Sequence, residues 1–232
     1  MTHTGEALTL TDSDNHVIIR NTFNSNMLHD LYLYQSDNNT IFDNNFQSNG
    51  AKVSVRNSTC SWDNGFEGNY WSNYNGTDSN NDALGETPYT IDSSNIDNQP
   101  LMGMFNTFNA GTWDGTQYNV DIISKSTLGS FNFNPYASPH PMLNFTVNGS
   151  TGTQGFCRVD IPKALMWTDT PSEWVIKVGS NLTPADRIIN ATGYTYLHFT
   201  YTHSTKIVQI TSVHAVSENI TSIILLALLT VT

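Results

Sequence analysis

The sequence predicts an all-β protein in which right-handed parallel β-helix rungs are followed by an antiparallel β-sandwich. Two observations lead to this prediction. Residues 8–26 and 31–49 are the same pattern written twice, 23 positions apart. From about residue 111 onward asparagine becomes rarer, and apolar and polar residues alternate over short segments. Such alternation, interrupted by turn residues, is typical of antiparallel strands.

Each copy of the repeat contains two short β-rich segments separated by Asp, Ser and Asn residues that favour turns. A unit of this length cannot bury its own apolar face, so it must stack on neighbouring copies. A leucine-rich repeat has a similar period, but its L-x-x-L-x-L skeleton and helical segment are missing. We therefore expect successive coils about 4.8 Å apart. A third copy begins at Val53 and is not recognisable after Val55.

In such a stack, equivalent apolar side chains form an inward column, and each one that is buried contributes about 1.5–3 kcal/mol. The predicted column consists of Leu8, Leu31 and Val53; Leu10, Leu33 and Val55; Ile18 and Ile41; Phe23 and Phe46. Asn21 and Asn44 are expected to form an amide ladder at a corner that needs a left-handed backbone. Arg20 and Asp43 are expected to pair across the coils.

The composition indicates a secreted or surface-displayed protein. The net charge is −11, and the nine Lys and Arg residues form no cluster, which argues against nucleic acid and against a basic lipid-binding face. Eight Asn-x-Ser/Thr sequons fit either a glycosylated exterior or chance in an Asn-rich chain. Cys60 and Cys157 fall in different predicted domains, so a disulfide stays open. The chain starts in mid-repeat without a signal peptide, as expected of the C-terminal part of a longer protein.

A Gly- and Asn-rich aromatic segment follows the third copy. Its distinctive residues are Trp62, Asp63, Phe66, Glu67, Tyr70 and Trp71. In one interpretation the aromatic rings cover the open end of the apolar column. In the other, Trp62, Tyr70 and Trp71 form a sugar-stacking platform beside the two carboxylates.

The next segment carries oxygen-bearing side chains at positions 1, 3, 5 and 9 of a short loop: Asp78, Asn80, Asp82 and Glu86. Such spacing turns several oxygen ligands toward one hard cation, and Asp92 and Asp97 are near enough in sequence to complete the shell. The loop departs from an EF-hand, because Ala83 replaces the glycine and Tyr89 replaces the last glutamate. A structural calcium ion and a plain polar loop both fit.

Six strands and one helical turn, Pro162 to Met166, are predicted in the following region. The strands cover residues 118–122, 143–147, 156–161, 174–178, 195–201 and 206–210. The apolar run 220–232 is shorter than the roughly 20 residues that span a bilayer. It is either a truncated membrane anchor or a last strand. The predicted domains are 1–74 (rungs and aromatic cap), 75–110 (acidic, Asn-rich connector), 111–211 (β-sandwich) and 212–232 (apolar tail).

The first hundred residues resemble the C-terminal part of a NosD-like right-handed β-helix, of the carbohydrate-binding and sugar-hydrolase repeat type found in archaeal surface proteins. The resemblance is carried by the two repeats, the Trp62–Trp71 segment and the exit from Asp78 to Leu101. Residues 111–211 resemble the β-sandwich that often follows. The resemblance implies a C-terminal membrane anchor, and the family name implies copper delivery to a periplasmic reductase.

We predict a non-catalytic protein of the extracellular cell surface that binds a surface polysaccharide or glycoprotein, or has an adhesive or structural role. The membrane would be reached only through the tail, and calcium is the one expected cofactor. The first alternative is a pectin-lyase-like polysaccharide lyase or glycosidase that uses Asp14, Asp37 and Asp43. The second is copper binding, which the residues do not favour. His3, His16 and His29 lie 13 apart in a 23-residue repeat and would not stack, whereas copper sites gather His, Met or Cys.

Overall fold

The computed structural model describes residues 5–24, 28–48 and 52–216. Apart from one three-residue 3-10 helix, Pro171–Glu173, the regular elements of this part of the chain are all β. The chain divides into two compact units. Unit 1 comprises Met1–Thr107, Asp121–Thr127 and Gly155–Arg158, and unit 2 comprises Phe108–Val120, Leu128–Gln154 and Val159–Thr232.

Ten short strands lie within the first 107 residues. They are β1 Leu8–Thr11, β2 Val17–Ile19, β3 Thr22–Phe23, β4 Leu31–Tyr34, β5 Thr40–Phe42, β6 Asn45–Phe46, β7 Val53–Arg56, β8 Tyr70–Trp71, β9 Tyr89–Asp92 and β10 Asn95–Asp97. Eight of them form three parallel sheets, in the orders β1-β4-β7, β2-β5 and β3-β6-β8. Strands β9 and β10 form an antiparallel hairpin.

The register of the parallel sheets follows the 23-residue repeat. Leu10 pairs with Leu33, and Leu33 pairs in turn with Val55. Ile18 pairs with Ile41 in the second sheet. Side chains alternate across each strand, so the leucines of β4 are buried while its two tyrosines are partly exposed.

An aromatic stack runs through the core of unit 1. The ring centroids of Phe23 and Phe46 are 5.0 Å apart, those of Phe46 and Trp71 are 4.4 Å apart, and those of Trp71 and Tyr89 are 4.2 Å apart. Because Trp71 pairs with Phe46 in the register of β6 and β8, it occupies the phenylalanine position of the third copy. The third copy therefore continues beyond Val55, contrary to the sequence-based expectation.

The corners between the sheets are held by side-chain amides. Nδ2 of Asn21 donates to Oδ1 of Asn44, and Nδ2 of Asn44 donates to Oδ1 of Asn69, both at 3.0 Å. The left-handed residues are not these asparagines, as expected from the sequence, but the preceding Arg20 (φ 60°) and Asp43 (φ 55°). The asparagines thus satisfy the backbone of a corner whose strain falls on their charged neighbours.

Twelve further strands follow. They are β11 Met104–Trp113, β12 Thr116–Ser124, β13 Thr127–Asn134, β14 Met142–Asn148, β15 Gln154–Pro162, β16 Met166–Trp167, β17 Val175–Val178, β18 Asn181–Leu182, β19 Arg187–Asn190, β20 Tyr194–Thr202, β21 Lys206–Thr211 and β22 His214–Ala215. Two five-stranded sheets have the orders β11-β12-β15-β20-β19 and β13-β14-β21-β17-β18. Strands β16 and β22 form a separate antiparallel pair.

All six strands expected after residue 111 are present, with ends shifted by a few residues. The expected helical turn is wrong. Strand β15 continues to Pro162, and the chain then makes a turn closed by the 2.9 Å bond from the Leu165 N–H to the Pro162 carbonyl oxygen. The apolar run 220–232 lies outside the described residues. Within them, no helix is long and apolar enough to span a membrane, and both cysteines are free.

Replacing Phe46 by alanine should lower the free energy of unfolding by about 3–5 kcal/mol, because a fully buried ring in the middle of the stack leaves a cavity. Chemical denaturation followed by circular dichroism measures the change. The matched control is Phe66→Ala, since Phe66 is 71% exposed and its loss should stay within about 0.5 kcal/mol. Equal stability of the two variants would contradict the role of the stack.

Candidate functional site

A cluster of five charged side chains lies within unit 1. It consists of Arg20, Asp43, Glu67, Asp121 and Arg158. Arg20 and Asp43 occupy equivalent left-handed corners after β2 and β5. Glu67 precedes β8, while Asp121 and Arg158 belong to β12 and β15. The cluster combines charges from distant parts of the chain, which no local motif in the sequence indicates.

Asp43 and Glu67 form a carboxyl pair. Asp43 is 5% exposed, and its carboxyl group is hydrogen-bonded to that of Glu67. Burial, followed by the charges of Glu67 and Asp121, raises the pKa of Asp43 to about 8, against the lowering effect of Arg20. At neutral pH Asp43 is therefore protonated and donates to the Glu67 carboxylate, as two neighbouring carboxyl groups do when they share one proton.

The remaining members neutralise this pair. The Arg158 guanidinium, almost completely buried, forms an ion pair with Glu67 and donates to the carbonyl oxygen of Asp82 at 2.9 Å. Arg20 forms its ion pair with Asp121 at 3.0 Å, not with Asp43 as expected from the repeat. Burial raises the pKa of the Asp121 carboxyl, although the Thr107 hydroxyl donates to it at 2.6 Å and lowers its pKa.

A carboxylic acid beside a carboxylate is a combination that general acid–base chemistry uses. A polysaccharide substrate, however, must reach both groups, and the Glu67 side chain is only 14% exposed and salt-bridged. The other two carboxylates that the sequence offered serve turns. Asp14 accepts the Asp37 N–H at 2.6 Å, and Asp37 accepts the Thr59 N–H at 2.7 Å. The geometry is that of an internal polar network.

The two tryptophans of the expected sugar platform belong to the core of unit 1. Trp62 and Trp71 are 0% and 1% exposed. The Trp62 indole N–H donates to Oδ1 of Asn95 at 3.0 Å, and the Trp71 indole N–H donates to Oδ2 of Asp97 at 2.8 Å. Both rings are therefore held by polar partners inside the protein, and neither is open to a ligand in this structure.

The other three residues of that platform are also engaged. Oδ2 of Asp63 accepts from the backbone and side chain of Asn98 at 3.1 and 3.0 Å. Glu67 belongs to the charged cluster. Tyr70 packs on a second apolar core cluster of unit 1, and burial raises the pKa of its hydroxyl. The five residues thus cover the core without presenting a common open surface.

Asp97 organises this cover. Besides the Trp71 indole, its carboxylate accepts the backbone N–H groups of Asn69 at 2.7 Å and Gln99 at 3.0 Å. Burial raises the pKa of Asp97 to about 7 in spite of these donors, which lower it. A Cβ on Gly68 would overlap the same carboxylate, so the glycine is required by this close approach.

The acidic loop closes on itself. Asp78 accepts the N–H groups of Asp82 and Ala83 at 3.0 and 2.8 Å. Oδ1 of Asp82 accepts the Leu84 N–H at 3.0 Å. Glu86 accepts from Ser79 and Thr77, and these hydrogen bonds lower its pKa.

The loop carboxylates thus bind N–H and O–H groups of the loop. Asn80, the fourth residue of the predicted calcium site, also takes part in an interaction within the protein. Across residues 5–24, 28–48 and 52–216, no three His, Cys, Asp or Glu side chains are arranged to hold a metal ion. Of the copper candidates, Met104 accepts a bond from Gln47 at 3.3 Å, His29 lies 3.5 Å from Glu6, and His3 lies outside the described residues.

One open polar surface of unit 1 was not among the predicted sites. It is the outer side of the sheet β1-β4-β7, here called the tyrosine face, and consists of Thr9, Thr11, Tyr32, Tyr34, Ser54 and Arg56. All six are exposed or partly exposed. Glu6 and His29 border the face, with the His29 and Tyr32 ring centroids 5.5 Å apart. The alternation in Leu31-Tyr-Leu-Tyr34 is the sequence signal that could have identified it.

The pH dependence of stability should reveal the state of Asp43. Folded Asp43 keeps its proton up to about pH 8, whereas the unfolded residue loses it near pH 3.9. Between these values unfolding releases a proton, so the free energy of unfolding falls as the pH rises. Asp43→Asn, which keeps a donor toward Glu67 and cannot ionise, should flatten the decrease in Tm between pH 5 and 9 and should be the more stable protein at pH 9.

Thermal melts at pH 5, 7 and 9 measure this difference. The control is Asp12→Asn, an exposed carboxylate on a left-handed residue, which should leave the slope of Tm against pH unchanged. If Asp43→Asn gives the wild-type slope, the shared proton is disproved.

Comparison with known proteins identifies one similarity. Residues 1–76 match the model of the family described as periplasmic copper-binding protein (NosD). The match covers the repeats and strands β1 to β8 and amounts to 76 of 232 residues, about a third of the chain. No curated protein and no solved structure matches the chain. The repeat region is thus similar to the NosD family.

Proposed function

We propose that the protein is a non-catalytic module of the extracellular surface that binds glycans through a right-handed parallel β-helix. The helix is supported by three parallel sheets whose strands share the 23-residue register and by the NosD match over the same residues. Each copy would be one coil that contributes one strand to each sheet, as in other solenoid folds.

A non-catalytic role is supported by the state of the carboxylates. Retaining and inverting glycosidases place two carboxyl groups about 5 to 9.5 Å apart on either side of an accessible sugar. In this chain the carboxyl pair is buried and bound to an arginine, while Asp14 and Asp37 hold turns. A substrate would have to displace hydrogen bonds that stabilise the fold.

The observation that carries glycan binding is the tyrosine face. Two tyrosine rings on β4 lie between the hydroxyl groups of β1 and the Ser54 and Arg56 side chains of β7. The rings offer an apolar surface with a polar end, and the neighbouring hydroxyl and guanidinium groups offer hydrogen bonds to sugar hydroxyls. Because β-strands are spaced by about 4.8 Å, the face presents its groups in regular rows to an extended polysaccharide.

The two five-stranded sheets would form a β-sandwich, with their apolar sides facing each other, that serves as a stalk or adhesion module. Strand β14 alternates buried and partly buried residues through most of its length, as strands of two-layered sheets do. The partner would be a surface polysaccharide or glycoprotein. A nucleic acid is disfavoured by the net charge of −11.

The family description favours copper binding as a second candidate function. Copper would need His, Met or Cys ligands gathered in one place. Calorimetric titration with Cu(I) and with Cu(II) distinguishes the two functions, because a stoichiometric site with sub-micromolar affinity would replace glycan binding as the preferred function.

The double variant Tyr32→Ala, Tyr34→Ala should lose glycan binding on the tyrosine face by about tenfold or more, since two aromatic contacts contribute roughly 0.5–1.5 kcal/mol each and 1.4 kcal/mol is tenfold. The measurement is a polysaccharide array followed by titration of the bound glycans. Phe66→Ala removes an exposed ring outside the face and should bind like the wild type. Depolymerisation of a bound glycan by the wild-type protein would instead establish the enzymatic alternative.

A further inference from the structure

An open pocket of about 620 Å³ lies within unit 2 around Trp167. Its lining combines one aromatic ring with polar side chains of several kinds, namely Lys163, Trp167, Asp169, Asn190 and Thr195. The volume falls in the range of roughly 300–1,000 Å³ that small-molecule sites occupy. Neither the sequence motifs nor the NosD match points to this part of the chain.

The Trp167 ring is exposed and yet fixed. The residue is 37% exposed, and its indole stacks on the His214 imidazole with 5.3 Å between centroids and 22° between planes. The strand pair β16 and β22 places the two residues opposite each other, and Nε2 of His214 lies 3.1 Å from Oδ2 of Asp169. One face of the indole is thus covered by a ring that is itself held, so little conformational entropy remains to be lost on binding.

The indole N–H separates this tryptophan from the buried ones. Trp62, Trp71 and Trp113 each donate their N–H to a protein acceptor at 2.8–3.0 Å. For Trp167, no group in residues 5–24, 28–48 and 52–216 accepts this N–H. A single exposed aromatic residue is ordinary, but a fixed ring with an available donor inside a pocket is a feature of binding sites.

The polar groups of the pocket are also oriented. Buried Thr195 donates its hydroxyl to Oδ1 of Asn190 at 3.0 Å, so the amide nitrogen of Asn190 remains as a donor. Asp169 has a second carboxylate oxygen that can accept, and Lys163 can donate. On one side the wall is the 3-10 helix that begins at Pro171, with the Thr170 N–H bound to Glu173 at 2.7 Å. An apolar plane is therefore combined with both donors and acceptors.

We infer that this pocket binds one pyranose residue of a neutral polysaccharide, with the sugar ring stacked on Trp167. A pyranose has an apolar face of C–H groups, which fits the negative face of an indole, and a rim of hydroxyl groups that both donate and accept. Lys163 and Asp169 carry opposite charges, which favours a neutral sugar over a uronic acid. A nucleobase would also stack, but its phosphates would meet a chain of net charge −11.

This inference goes beyond the tyrosine face, because the two sites involve different residues in different units. The test uses the full chain, produced in a host without N-glycosylation because Asn190 heads an Asn-Ala-Thr sequon. Arrays and affinity electrophoresis with neutral polysaccharides, uronic acid polysaccharides and single-stranded DNA compare the wild type with Trp167→Ala. Trp167→Ala should weaken binding of a neutral polysaccharide at least tenfold, whereas Trp167→Phe, which keeps a ring, should weaken it only a few fold.

Tyr136→Ala is the matched control, since Tyr136 is a 58% exposed aromatic residue of unit 2 outside the pocket. It should bind like the wild type, and circular dichroism should show all variants folded. Loss of binding in Trp167→Ala with unchanged binding in the tyrosine-face variant supports this site and refutes the face. The reverse result, binding of DNA or uronic acid polymers only, or the absence of any neutral glycan ligand overturns the inference.

Discussion

The stacking of aromatic rings at a fixed spacing is the constraint on which the rest of unit 1 depends. Phe23, Phe46, Trp71 and Tyr89 follow one another at 4.2–5.0 Å, which is close to the spacing of hydrogen-bonded strands, about 4.8 Å. The register of the backbone and the packing of the rings therefore require the same alignment of the copies. A shift by one residue would move every apolar side chain to the opposite side of its strand, so the two requirements reinforce each other.

The same register places two charged residues at left-handed corners, where a non-glycine residue costs stability. Arg20 reaches an exposed position and pairs with Asp121, whereas Asp43 is buried and survives as a neutral acid bound to Glu67. A buried ionised carboxylate would cost several kcal/mol unless it were fully compensated. Protonation of Asp43 avoids this cost at low and neutral pH.

The sequence was sufficient for interactions that repeat at constant spacing and insufficient for those that do not. The pairing of Leu10 with Leu33 follows from the 23-residue period, because equivalent positions in stacked copies must coincide. Asn69 joins the amide ladder 25 residues after Asn44, and the added residues conceal the third copy from a search at fixed period. The contact of Arg158 with Glu67 spans 91 residues and leaves no local pattern.

Long strands rich in asparagine were also missed. Strand β11 contains three Asn residues and an internal glycine, a composition that favours turns. Its burial alternates irregularly, so a period of two cannot be recognised from the sequence. Pairing with β12 within a five-stranded sheet overrides the local preference, as tertiary context commonly does for strands.

The distinction between structural and ligand-facing aromatic residues rests on their polar ends. A buried indole must have an acceptor for its N–H, because an unsatisfied donor in the interior costs about 1–3 kcal/mol. Asn95 and Asp97 supply these acceptors for Trp62 and Trp71, and both acceptors lie more than 20 residues away in sequence. A tryptophan in an aromatic-rich segment therefore looks the same from sequence whether it covers a core or meets a sugar. The acceptor of its N–H decides between the two roles, and only the fold reveals which acceptor is near.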